Sequence, residues 1–311
     1  MFIAIFIALS VFYLEELPVT KYPQCQNILV DADELLSSSA LSASPDFIKE
    51  EVKTAAANFE KDTIALLEQL RRSSWSAWAV FAAIYAIGQQ KGKKMTIKPF
   101  NKFDANFSFE QNAFAAPVEL DKATPQGKRI LACSSNPTGT VRSASVLTDP
   151  QGQPYLGRGG GSDTEIRFNA LMWVPPPGGG AVAPGAEADE ILLHEMGHGL
   201  RQMRGQMQCS GTSDNPAYDT REEFVAILIS NLYRSERRRP GLRSDHGANS
   251  PPLSAALSDS ATFLSTGNHK DYIHQMFDED LVFAKNLSNV SCPFNPVKVF
   301  FEKYGKIFGG K

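Results

Sequence analysis

The sequence predicts an α+β fold for its 311 residues. Three observations carry that expectation. Apolar residues stand at helical spacing at 47–70 and again at 187–207, with an apolar run at 75–87 and a further helical stretch at 220–235. Between them, short alternating pieces bounded by Gly, Pro, Asn and Asp read as strands and turns. No internal repeat is present, and 42% hydrophobic residues are enough to bury a substantial core.

In order along the chain, residues 1–14 (MFIAIFIALSVFYL) are continuously apolar, with no Lys or Arg before them and Glu15 and Glu16 after. They lack the basic start of a signal peptide and are short for a membrane span. An atypical secretion or membrane signal, a buried helix and an extension outside the working domain are all open readings. Residues 47–70 have helical periodicity with many Glu and Lys. Residues 75–87 (WSAWAVFAAIYAI) are apolar, lie between Arg71-Arg72 and Lys91, Lys93 and Lys94, and are again short for a span. Together they are expected to form a helical hairpin packed under the domain that follows. The expected organisation is an apolar segment at 1–20, a mainly helical region at 21–92 and a larger domain at 93–311. Residues 95–99 (MTIKP) would begin the sheet, with further strands at 129–133 and 140–147. Residues 164–173 (TEIRFNALMW) alternate through Ile166, Phe168 and Ala170 as a half-buried strand does, and a Pro/Gly loop follows at 175–184.

Residues 187–207 place Ile191, Leu192, Met196, Leu200 and Met203 at helical spacing, with His194-Glu195-Met196-Gly197-His198 in their midst. Positions i and i+4 of a helix are neighbours, so both imidazoles can reach one metal ion, and the pattern is that of a zinc peptidase. A water on that metal becomes acidic enough to lose a proton near neutral pH. Glu195 can take that proton and hand it to a leaving amine. The plain alternative is an amphipathic helix with two hydrogen-bonded histidines. The extended pattern with a glycine three residues and a third histidine six residues beyond His198 is absent, since Arg201 and Arg204 stand there. Residues 220–235 supply candidates: a helix whose first turn holds Glu222 and Glu223, although Thr220 with Glu223 also fits a capping box. His246 is a further candidate.

Glu223-Phe224-Val225-Ala226 resembles the glutamate segment that gives gluzincin peptidases their third ligand. That resemblance implies His194, His198 and Glu223 as metal ligands, Glu195 as general base and acid, and Tyr218 as an electrophilic helper. Tyr218 stands at a somewhat different spacing, and Ile227 replaces a residue often polar in that pattern. More widely, HEMGHGLR, REEFVAILISN, Asn231, the arginine-rich end near Arg243 and the glycines of 157–161 are similar to secreted bacterial effector zinc metallopeptidases. The resemblance implies a zincin-like metalloprotease domain: N-terminal helices, a mixed sheet, an HExxH helix and a helical C-terminal part. It also implies bound Zn2+, a protein or peptide substrate and a role in virulence, with the chain either secreted as an effector without a standard cleaved signal peptide or cytoplasmic.

A formal net charge of −3 gives no global case for nucleic acid or an anionic membrane, and a monomer is the expected state. Cys25, Cys133, Cys209 and Cys292 form no CxxC pair; two disulfides are possible, and reduced thiols are the plainer expectation. Arg234, Arg237, Arg238, Arg239 and Arg243 read as a solvated basic face at the end of a helix, or as a dock for an acidic segment. His269 and His274, in the helical tail, carry no motif. Two other classes of function remain at this point: a zinc-binding scaffold without proteolysis, and a membrane-associated protein governed by the two apolar stretches.

Overall fold

The computed structural model describes residues 19–37, 39–103, 107–109, 111–118, 146–148, 154–156, 161–173, 183–207, 218, 220–245 and 250–308. Residues 1–14, 129–133 and 175–182, most of 140–147 and 157–161, and Cys133, Cys209 and His246 lie outside them. In chain order the elements are β1 (Thr20–Lys21), β2 (Ile28–Val30), α1 (Asp33–Ser37), α2 (Ser39–Ser42), α3 (Asp46–Ser73), α4 (Trp75–Lys91) and β3 (Met95–Lys98). There follow β4 (Asn101–Phe103), β5 (Phe107–Phe109), β6 (Phe114–Pro117), β7 (Val146–Thr148), β8 (Pro154–Leu156) and β9 (Thr164–Arg167). The chain closes with α5 (Ala188–Arg204), α6 (Arg221–Glu236), α7 (Ser260–Leu264), α8 (His269–Glu279), α9 (Leu281–Ser288) and α10 (Pro296–Tyr304). The protein is α+β, as expected.

Five strands form one mixed sheet in the order β1-β2-β3-β9-β6. Its three central strands are parallel, and each edge strand is antiparallel to its neighbour. The sheet therefore begins before Met95, the expected start. β2 is only three residues long and too short to show a period, yet its register Ile28↔Met95 to Val30↔Ile97 builds it into the sheet. The strand expected over residues 164–173 also ends early, at Arg167. Asn169 turns the chain instead: its side-chain oxygen accepts from Leu171 N at 3.3 Å and its carbonyl from Met172 N at 3.2 Å, starting a 3-10 turn over Ala170–Trp173.

Alternation gives the sheet two chemically different faces. Met95, Ile97, Thr164 and Ile166 are fully buried on one face. On the other, Lys98 Nζ lies 3.0 Å from Glu165, and Arg167 lies 2.6 Å from both Glu165 and Glu34. α5 lies on the apolar face. Two glycines set its depth: a Cβ on Gly199 would stand 2.7 Å from Met95 Cε and 3.0 Å from Thr164 Cγ2, and one on Gly197 3.2 Å from Ile229 Cδ1 of α6. Gly161 locks the C-terminal end of this packing. Its φ is +75°, and a Cβ there would come within 1.9 Å of the Met203 carbonyl oxygen, so no other residue fits.

The N-terminal hairpin α3–α4 is present and shares the same core, with α4 packed on α3, α5, α6 and α9. Its turn is capped twice. Ser74 Oγ accepts from Ala77 N at 3.1 Å, and the Glu236 carboxylate at the end of α6 accepts from Trp75 N at 2.6 Å and Ser76 N at 3.1 Å. An anion at a helix N-terminus is favourable, so the last residue of α6 fixes the first turn of α4. Among the described residues, no helix is long and apolar enough to cross a membrane. Cys25 and Cys292 are free thiols, and burial pushes both upward, Cys292 to about 11.

Candidate metal centre

All of α5 from Asp189 to Met203 is buried, an unusual setting for a helix with so many charges. Each end is neutralised by a partner helix. Near its N-terminus, Asp189 accepts from Arg239 at 2.8 and 2.6 Å and from Tyr233 Oη at 2.5 Å. Burial would raise the Asp189 carboxyl, but Arg239 and Tyr233 outweigh it and hold it below its ordinary value. Glu190 accepts from Gly185 N at 2.8 Å and pairs with Arg234, whose side chain is 0% exposed and also bonds the carbonyls of Gly241 and Pro240. Near the C-terminus, Arg201 makes a two-pronged bond to Glu222 at 2.7 and 2.9 Å and a third to Glu279 at 2.9 Å. Negative charge at the start of the helix and positive charge at its end both suit its dipole.

The expected solvated basic face is therefore not what the arginines form. Arg237 and Arg238 are exposed, but Arg234 and Arg243 are buried and Arg239 is half-buried on the acids of α5. Spacing alone could not reveal this, because the acids that draw them inward lie about 45 residues earlier along the chain.

Between these clusters, His194 and His198 project from one face of α5 toward the first turn of α6. Thr220 caps α6 by accepting from Glu223 N at 3.2 Å. Glu223 points its carboxylate at the histidines: Oε2 is 3.3 Å from His194 Nε2, Oε1 is 3.4 Å from His198 Nε2, and the two Nε2 atoms are 3.1 Å apart. Glu222, one position earlier, faces the other way and is occupied by Arg201. Glu223 thus joins the histidines and Glu222 does not.

A divalent metal fits this triangle. Ligand atoms at ordinary distances from one tetrahedral ion stand roughly 3.3 Å apart, and the three edges, 3.1, 3.3 and 3.4 Å, lie close to that. Glu223 Oε2 is buried and makes no hydrogen bond. Among the described residues, His194, His198 and Glu223 are the group of His, Cys, Asp and Glu side chains able to hold a metal. Burial opposes charge on both rings. At His198 the Glu223 carboxylate overcomes it and raises the imidazole to about 9, whereas His194, near His198 and the Arg243 cation, falls to about 3. The Glu223 carboxyl is buried too, yet the two histidines hold it far below its ordinary value.

Glu195 is 8% exposed and lies close enough to His198 and Arg243 to act on the charge of both. Tyr218 is buried, with its ring edge-on to Phe224 at 5.2 Å and to His269 at 5.7 Å. Burial, with Asp245 nearby, raises its phenol above the ordinary value. His269 belongs to this aromatic cluster, stacked on Phe263 at 4.2 Å, and His274 is half-buried against Phe300 and Phe308, 3.7 Å from Asp278.

Arg243 is the neighbour that the motif did not disclose. Its Nη1 lies 3.2 Å from His194 Nδ1, on the opposite edge of the ring from Glu223. Asn231 pins it by accepting from Arg243 N at 2.7 Å and donating to Arg243 O at 2.8 Å. Asn231, a polar side chain that follows the apolar run Phe224–Ile229 on α6, was the signal for such a tether.

The Peptidase_M91 family, described as effector protein, matches residues 46–260, more than two thirds of the chain. No curated protein and no solved structure matches.

Proposed function

The chain belongs to the Peptidase_M91 family of effector proteins, and on that premise we propose that it is a zinc-dependent endopeptidase acting on a protein substrate. Membership makes it a peptidase, a hydrolase. The observation that carries the metal-dependent reading is the His194–His198–Glu223 triangle, with edges of 3.1 to 3.4 Å and a buried carboxylate oxygen without a hydrogen bond. An imidazole pair with a single carboxylate suits zinc among the common ions. Bound there, zinc would acidify an attacking water and polarise the scissile carbonyl. Glu195 is the side chain placed to accept a proton from the attacking water and to deliver it to the leaving amine once the metal is held. Tyr218 is assigned to the developing oxyanion on resemblance, and its burial among Phe224 and His269 supplies a rigid mount for that role. The whole assembly has the character of a zincin-like domain.

Elemental analysis tests the site. Near-stoichiometric zinc is expected in wild type, Glu222→Ala and Glu195→Gln, with loss of zinc in His198→Ala and Glu223→Ala. Zinc-free wild type that takes up none on titration would end the proposal, and zinc retained by Glu223→Ala would remove that residue from the ligand set.

An extended peptide can be held by adding to a sheet edge. β6 is the edge strand that packs on α5, and we assign it this task. Because Val118 N donates to Asp163 O, the alternation of the antiparallel ladder turns the main-chain groups of Ala115 and Pro117 outward. Gln202 occupies the Ala115 carbonyl at 3.0 Å, and Pro117 has no N–H. The Ala115 N–H is then the principal donor to a bound peptide. Ala115→Pro is expected to raise KM about fivefold with kcat little changed, the loss of one hydrogen bond. An unchanged KM would move the peptide off β6.

A further inference from the structure

α4 is apolar nearly all round, and its surplus apolar surface faces outward. Four elements cover it on one side. On the other, Trp75 is 67%, Trp78 42% and Tyr85 50% exposed, with the half-buried Ala82 between them. These positions share one stripe of the helix. Trp75 and Trp78 meet edge-on at 5.8 Å. Lys91 ends α4 and Lys93 and Lys94 follow just past it, while Arg72, before its start, is exposed but paired with Glu68. The ridge from Trp75 to Lys91 is roughly 24 Å long.

We propose that this ridge docks the protein onto a membrane surface carrying anionic phospholipid. The side chains are those suited to a headgroup layer: Trp and Tyr present an apolar body with a polar tip, and lysines at the end reach phosphate while their stems stay in apolar surroundings. Acidic side chains bordering the ridge already have partners. Glu68 is taken by Arg71 and Arg72, Glu236 by the first turn of α4, Glu279 by Arg201 and Arg221, and Asp280 by Arg204. The cation excess therefore lies at the lysine end of the ridge, and a partner that covers both the aromatic stripe and that end must bring its own anions. The net charge of −3 leaves this local excess intact. The ridge lies on the surface of the membrane rather than crossing it, in keeping with the length of α4.

Co-sedimentation of the full chain with vesicles tests the proposal and needs no turnover, so its outcome is separate from that of the peptidase reading. Binding is expected to vesicles of phosphatidylcholine mixed with phosphatidylserine and to be much weaker with phosphatidylcholine alone. Tryptophan emission should shift to shorter wavelength on binding, and the shift should vanish in Trp75→Phe/Trp78→Phe, which leaves Trp173 as the sole tryptophan. Lys93→Gln/Lys94→Gln should weaken binding about thirtyfold, and Trp75→Ala/Trp78→Ala about tenfold. Absence of binding to the anionic vesicles overturns the proposal. So does undiminished binding by either pair of variants, or a solution dimer that Trp75→Ala/Trp78→Ala dissociates.

Discussion

Glu195→Gln is expected to keep zinc at the wild-type level and to hydrolyse a peptide more than about a thousandfold more slowly. The substitution preserves shape and removes the one function assigned to the side chain, since an amide accepts no proton at neutral pH. Folding should tolerate it, because Glu195 lies at the rim of the buried cluster and outside the ion pairs at both ends of α5. The assay is cleavage of a peptide chosen from a library by the wild-type protein, with zinc content measured on the same sample. A variant with full zinc and wild-type kcat would remove Glu195 from the chemistry. Zinc in both proteins with turnover in neither would make the site a scaffold.

Glu222→Ala should show the opposite pattern: zinc retained, and stability lowered by about 3 kcal/mol. Glu222 is 2% exposed and accepts both prongs of the Arg201 guanidinium, so its removal leaves a buried cation short of its main partner. Glu279 remains on Arg201 Nη1 at 2.9 Å, which keeps the loss at the lower end of the usual range for a broken buried pair. Urea unfolding in the presence of a chelator measures this without metal linkage. Under the same conditions Glu223→Ala should cost less, because its carboxylate has no strong partner other than the histidines. Equal losses for the two variants would mean that the neighbouring glutamates do not divide the work as drawn.

Much of the site was legible because its parts are local. The helical spacing of His194 and His198, and a cap at Thr220 with Glu223 in the first turn, are short-range patterns. The choice between Glu222 and Glu223 was not legible, since both belong to the same turn and only the position of Arg201 on α5 separates them. Arg243 was visible as part of a basic run but not as a neighbour of His194, because the two lie 49 residues apart and only the tether to Asn231 brings them together. In the fold, α3, α5 and α6 followed from local patterning, and α4 from an apolar run between clusters of cations. β2 did not, being a three-residue strand defined by its partner, and the early end of β9 depends on one side chain, Asn169.

The order of strands in the sheet has a consequence for how the chain reaches its native state. β2 at Ile28–Val30 waits for β3 at Met95–Lys98, and β3 for β9 at Thr164–Arg167, so each parallel pairing closes a gap of more than sixty residues. Such distant pairings cost loop entropy before any contact rewards it and make folding slow. While the protein is being synthesised, α3 and α4 can form early, but the surface that α5 and α6 will cover stays bare until residue 236 has emerged. Over that interval α3 alone covers the apolar length of α4, and the nascent chain is at its greatest exposure to self-association or to capture by a chaperone.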